Sequence, residues 1–151
     1  MSARMTNPSL VVPGALQPLL DLTKVLSTNG VPQLTLDLIR LRVSQVNGRP
    51  IHVPAHLGEG DARKPTDERL LRVAEWRHAP CYSDAERAAL ALAGGASRLS
   101  EEEDPVPDDV WEEAARHYDE RGLGVLMMQI GLVNLWNCVN VTTRQVPADY
   151  S

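Results

Sequence analysis

Four residues in one short stretch carry most of the chemistry this 151-residue chain offers: Asp37, Arg49, His52 and His56. Two histidines four apart on a helix share a face, with Cβ atoms roughly 5–6 Å apart. Near a helix start, the positive end of the dipole favours the neutral, basic imidazole. Arg49 stands one turn before His52, and its guanidinium suits a carboxylate or phosphate. Asp37 is the nearest upstream acid, and a helix–break–helix hairpin would fold it back towards the pair. An acid, two imidazoles and an anion-holding cation are the parts of a proton-transfer site. The same four residues also fit an ordinary solvated surface.

The hairpin that must position them is written in the flanking residues. Leu38, Ile39, Leu41 and Val43 recur at helical spacing, while Arg40 and Arg42 point elsewhere and read, with Glu75, as solvated or inter-helix charges. Asn47-Gly48 ends that helix, because both residues tolerate the left-handed conformation. Pro50 suits the first position of a new helix, and Pro54 still lies near its first turn, where amides lack intrahelical partners.

The remaining chain reads as further helices. Residues 1–9 form a flexible leader, residues 10–146 one domain and residues 147–151 a tail. Leu16, Leu19, Leu20 and Leu26 mark a first amphipathic helix, which Asn29-Gly30 ends. Thr66 is placed to cap a helix carrying Leu70, Val73 and Ala74, which stops before Pro80. Ser83 and Glu86 form a capping box for an alanine-rich helix that Gly94-Gly95 should weaken. An acidic connector over residues 100–107 leads to a helix with Trp111 and Ala115 inward, then a turn at 121–124. The last helix, residues 125–141, carries Leu126, Met127, Ile130, Val133 and Leu135 around much of its circumference. Such a helix is either central or covered by a second subunit. No strand-like alternation occurs, so the fold class is all-α, a single domain.

The runs LIRLRVSQVNG, HLGEGDAR, RLLRVAEWRHAPCYSDAERAALALA and GLVNLWNCVNV follow one another within about residues 13–143. In that order they resemble the alkylhydroperoxidase D-like proteins of the carboxymuconolactone decarboxylase superfamily. The resemblance implies an alkylhydroperoxidase D-like helical bundle that forms homo-oligomers, commonly trimers or hexamers. Peroxidase-type members carry Cys-x-x-Cys and then a histidine after the Asn-Gly; here those positions hold Arg49, His52 and His56. The histidine is retained and both cysteines are gone. The family's proton-relay glutamate falls on Asp37, one methylene shorter. Peroxide reduction of the family type needs a thiolate and a resolving thiol. Cys81 and Cys138 are 57 residues apart and form no such pair. The decarboxylase branch of the superfamily lacks the cysteine pair as well.

Composition excludes several classes. The 43% hydrophobic and 23% charged content is that of a globular domain, and the net charge of −5 carries no nucleic-acid footprint. Two cysteines outside any disulfide framework point to a reducing cytoplasm. Residues 1–9 lack the layout of a signal peptide, and the most apolar run, residues 125–133, is short for a bilayer. His78 and His117 read as surface residues and Trp76 as a core residue.

The leading expectation is a cofactor-independent acid/base enzyme, a decarboxylase, lyase, isomerase or cyclase acting on a small acidic or enolisable molecule. Asp37, His52 and His56 would be catalytic and Arg49 would hold the substrate, with no metal or cofactor and no nucleic-acid or membrane partner. Two alternatives stand beside it. One is a metal centre ligated by Asp37, His52 and His56, which the charge of Arg49 opposes. The other is a non-catalytic oligomer whose pocket has lost its chemistry.

Overall fold

The structure, a computed structural model, describes residues 2–48 and 67–145. Seven α-helices run in the order α1 (Pro8–Val11), α2 (Leu16–Leu26), α3 (Gln33–Val46), α4 (Glu68–Leu71), α5 (Asp84–Ala96), α6 (Asp108–His117) and α7 (Glu120–Thr142) among the described residues. A 3-10 turn, Val73–Glu75, follows α4. No strand occurs among the described residues, and the all-α expectation holds.

The hub is α3, which is apolar on two opposite sides. Leu36, Ile39 and Val43 face one core layer, shared with Ala89, Leu92 and Ala93 of α5 and with Leu126, Ile130 and Val133 of α7. Leu38 and Leu41 face a second layer with Leu70, Val73, Trp76, Tyr82 and Leu90. At about 100° per residue these two sets lie on opposing stripes of one helix. One helix with two buried stripes is therefore pinned by both layers, and whatever it carries between the stripes is held in fixed register. Gly48, at φ 74, closes α3 where Asn47-Gly48 was expected to, its N–H reaching the Gln45 carbonyl at 3.1 Å.

Polar links tie the long helices together. The Asn47 amide donates to Asn134 Oδ1 at 3.0 Å, and Asn134 Nδ2 in turn reaches Ser97 Oγ at 3.1 Å and the Ile130 carbonyl at 2.9 Å. Gln129 Nε2 donates to the Leu36 carbonyl at 3.2 Å. The C-terminal ends of α3 and α5 thus meet one network at Asn134, inside α7. The capping box of α5 is present: Glu86 N–H donates to Ser83 Oγ at 3.1 Å, and Ser83 N–H to Glu86 Oε1 at 2.8 Å. Glu86 also takes Arg69 Nη1 at 2.6 Å, so this one buried carboxylate joins α4 to α5.

Several local expectations are corrected. Asp67, not Thr66, caps α4, accepting the Arg69 N–H at 2.9 Å, and the helix gives way to the 3-10 turn after one turn. Thr66 itself lies outside the described residues. Gly94 and Gly95, read from propensity as weakening α5, lie inside it and let other chain segments come close. A Cβ on Gly94 would meet Arg42 Nη2 at 2.8 Å, and one on Gly95 would overlap the Pro105 carbonyl oxygen. On α6 the inward residue is Ala114, and Trp111 and Ala115 are exposed. Residues 121–124 are not a turn: α7 already begins at Glu120, with Asp119 Oδ1 accepting the Gly122 N–H at 2.7 Å. The segment expected as a leader lies along the end of α7. Arg4 N–H donates to the Thr143 carbonyl at 2.8 Å, and Gln145 Nε2 donates to the Met5 carbonyl at 3.0 Å.

Helix α7 has two characters. Val125, Leu126, Ile130, Leu132 and Val133 are buried, while Met127, Met128, Leu135 and Val141 are 37–51% exposed. By length and composition alone it could cross a membrane, and 33% of its most apolar window is buried inside the fold.

Candidate functional site

Asp37 stands in the first half of α3, half-buried, on the side left between the two apolar stripes. Gln33, one turn earlier, donates its Nε2 to Asp37 Oδ1 at 3.1 Å. Arg40, one turn later, belongs to the same side by helical geometry. Burial pulls the Arg40 guanidinium below its ordinary pKa, and the Asp37 carboxylate acts in the opposite direction. Arg40 Nη2 is buried and has no hydrogen-bond partner among the described residues. An acid held by an amide, beside a buried guanidinium with a spare donor, can bind an anion and exchange a proton in one place.

Of the four residues singled out in the sequence, the structure therefore locates one. Arg49, His52 and His56 lie outside the described residues. Arg40 was read as a solvated or inter-helix charge, and its burial gives it a larger part. Its spacing of three from Asp37 was the signal available in the sequence.

Arg42 is the inter-helix charge of the two expected alternatives. It is 6% exposed, with Nη1 donating to Gln45 Oε1 at 2.8 Å and its Cζ 5.4 Å from the Trp76 ring centroid. Trp76 is itself buried, as expected, and carries Arg77 at 4.7 Å from the same centroid. Because 3.6 residues make a turn, Arg42 lies roughly 140° around α3 from Asp37. The two arginines of this helix thus serve different sides of it.

Among the described residues no group of three or more His, Cys, Asp and Glu could hold a metal ion. Both cysteines are free, Cys81 half-buried and Cys138 exposed. His117 Nε2 lies 3.0 Å from Glu113 Oε2 at an exposed position, and His78 is exposed. A cleft of about 670 Å³ between the N-terminal segment and α7 is lined by Met5, Asn7, Leu10, Leu16, Trp136 and Gln145 among others. Among the described residues that line it none is acidic, basic, histidine or cysteine, so these offer shape without proton chemistry.

Comparison with known proteins agrees with this architecture. The model of the "Carboxymuconolactone decarboxylase family" matches residues 13–94. The chain is 27% identical over 131 residues to the uncharacterized protein YdfG of Bacillus subtilis (strain 168), covering 87% of this chain and 88% of YdfG. Over 74 residues it is 40% identical to the uncharacterized protein YnjA of Escherichia coli (strain K12), covering 48% of this chain and 38% of YnjA. Its fold matches ATU0492 from Agrobacterium tumefaciens with a TM-score of 0.80 and 26% identity, over 96% of this chain and 97% of the other. ATU0492 is described as a protein of unknown function suggested to be an antioxidant defence protein AhpD. With more than half its residues matched to the family model and its helical bundle matched almost end to end, the chain belongs to the carboxymuconolactone decarboxylase family.

Proposed function

We propose that this family member is a cofactor-independent acid/base enzyme of the decarboxylase, lyase, isomerase or cyclase kind, acting in the cytoplasm on a small acidic or enolisable molecule. The observation that carries this reading is the placement of Asp37: half-buried, held by Gln33, and beside a buried Arg40 guanidinium with an unused donor. In the proposed site Asp37 orients His52 or His56, the imidazole moves the proton, and Arg49 binds the anionic end of the substrate. Arg40 adds a second positive charge on the Asp37 side. Such a site needs no thiol, and the positions of the peroxidase cysteines are occupied by Arg49 and His52.

The thiol alternative, which the description of ATU0492 brings forward, makes the opposite demand and supplies the test. The double variant Cys81→Ser, Cys138→Ser and the native chain are each assayed on a panel of small acidic and enolisable compounds, and on peroxide with a dithiol reductant. Turnover of one of the acids should survive in the variant, and dithiol-coupled peroxide consumption should be absent from both proteins. Peroxide consumption by the native chain that disappears in the variant would overturn the proposal.

We also propose that the chain works as a homo-oligomer, a trimer or hexamer. Met127, Met128, Leu135, Cys138 and Val141 fall on one side of α7, with Gly124 and Gly131 between them, and all are exposed. A continuous apolar stripe on a helix whose other side is already in the core is the form an interface takes. Light scattering at micromolar concentration should report a multiple of the 16.6 kDa chain mass, and Leu135→Glu should shift it towards the monomer. A native chain that stays monomeric contradicts this.

A further inference from the structure

We propose that the cleft between the N-terminal segment and the end of α7 binds a small uncharged molecule, a flat ring bearing a carboxamide or lactam. No described residue of α3 lines this cleft, so the inference stands apart from the acid/base reading of the Asp37 side. Its volume of about 670 Å³ lies within the range of small-molecule sites. Trp136 lines it from α7 and Leu16 from the start of α2, with Met5 and Leu10 on the N-terminal side. Trp136 also packs against the main core layer, so its indole is a fixed wall. Met5 and Leu10 are 43% and 63% exposed, apolar surface that a molecule in the cleft removes from water.

Hydrogen-bonding groups stand among these walls. Asn7 Oδ1 accepts the Ser9 N–H at 3.0 Å and Ser9 Oγ at 2.7 Å, whereas Asn7 Nδ2 has only a 3.5 Å approach to Asn140 Oδ1. An amide nitrogen carries two donors, so Asn7 has one to offer. Gln145 is engaged the other way round. Its Nε2 donates to the Met5 carbonyl at 3.0 Å and to Thr143 Oγ1 at 2.9 Å, and its Oε1 accepts no hydrogen bond among the described residues. The cleft thus offers a donor from Asn7 and an acceptor from Gln145. A ligand amide, with one acceptor and one donor in a plane, answers both.

The neighbouring charges are kept out of the cleft. Arg4, between the lining residues Ala3 and Met5, gives its Nη1 to the Thr142 carbonyl at 3.2 Å and does not line it. Arg144 is exposed, and its φ of 58 is the left-handed conformation that glycine usually supplies at a helix end. With that turn the Gln145 N–H closes onto the Asn140 carbonyl at 2.9 Å, and Gln145, not Arg144, becomes part of the wall. A charged ligand would leave water and meet no counter-charge on the described lining residues, a loss that a neutral one does not incur.

The test uses the full ¹⁵N-labelled chain and three compounds of one shape and different charge: benzamide, benzoate and benzamidinium. Each is titrated at neutral pH and constant ionic strength while the Trp136 indole N–H and Gln145 side-chain N–H signals are followed. Benzamide should shift both signals saturably, with an apparent Kd lower than that of either ion by about tenfold or more, the discrimination that desolvating an unpaired charge imposes. In Leu10→Asp the benzamide Kd should rise by about fivefold or more, since an apolar wall is lost and a charge stands in its place. The Leu10 side chain is largely in solvent, so the bundle should remain folded, which the spectrum itself reports. Absence of a saturable shift with benzamide, as when the chain's own end or a second copy already fills the cleft, would overturn the assignment. Equal affinity for the three compounds, or an unchanged Kd in Leu10→Asp, would overturn it as well.

Discussion

Replacing Asp37 by asparagine is expected to lower turnover by about 10²–10⁴-fold while the fold and the oligomer persist. The substitution keeps size and removes the negative charge. Asp37 lies between the stripes that pack α3 into its two layers, so the core residues Leu36, Leu38, Ile39 and Leu41 keep their contacts. Gln33 can still donate to the asparagine oxygen. What is lost is the charge that counters Arg40 and, in the proposed site, the charge that orients the imidazole. On the correspondence that the resemblance implies, Asp37 stands where a glutamate would, and its reach is shorter by roughly 1.5 Å, about one carbon–carbon bond. A bridging water is therefore part of the expected geometry, and Asp37→Glu should retain more activity than Asp37→Asn. The check is steady-state kinetics on the acid that the native chain turns over. Equal rates for Asp37→Asn and the native chain would remove Asp37 from the mechanism.

Gly95→Ala should destabilise the bundle by about 1–3 kcal/mol, the usual cost of forcing atoms into an occupied space. Helix propensity alone predicts the reverse, a gain of about 1 kcal/mol for alanine over glycine inside a helix. The structure decides between them. The new Cβ would overlap the Pro105 carbonyl oxygen and come within 3.2 Å of Val106 Cγ2. Val106 packs against the main core layer, so the connector cannot swing away without opening that contact. Chemical denaturation monitored by circular dichroism measures the difference. A midpoint higher than that of the native chain would mean the connector yields freely.

These two residues also show what the sequence discloses and what it withholds. The acid at position 37 was legible because a helix and its two-residue stop are local features, written in Leu38, Leu41 and Asn47-Gly48. The capping box at Ser83 and Glu86 was legible for the same reason. The packing reason for Gly95 was not legible, because local propensity counts only the helix that holds the residue, whereas Pro105 arrives from the far end of an acidic loop. For Arg42 the structure selects the inter-helix half of the reading over the solvated one. A charge next to an apolar stripe reads as solvated when one stripe is assumed, but α3 has two stripes, and Arg42 lies against the second. On α6 the helix was found and its phase was set wrongly by the size of Trp111; burial there follows Ala114 and the Tyr118 ring, whose hydroxyl donates to the Ala85 carbonyl at 3.0 Å. The start of α7 was placed late because Gly122 and Gly124 suggested a turn, although Asp119 stands at the capping position. The histidine half of the candidate site lies beyond the described residues, so the sequence pattern alone supports it.

The proposal that Asp37 and the histidine pair form one site can be tested without a substrate. The pH titration of all four histidines, followed by NMR in the native chain and in Asp37→Asn, reads the coupling directly. A nearby carboxylate favours the charged imidazolium, so removing it should lower the pKa of His52 or His56, by about one unit for a close pair. His78 and His117, exposed and away from α3, serve as internal references. A fall confined to His52 or His56 is the predicted result. Identical titration of both in the two proteins would contradict the account.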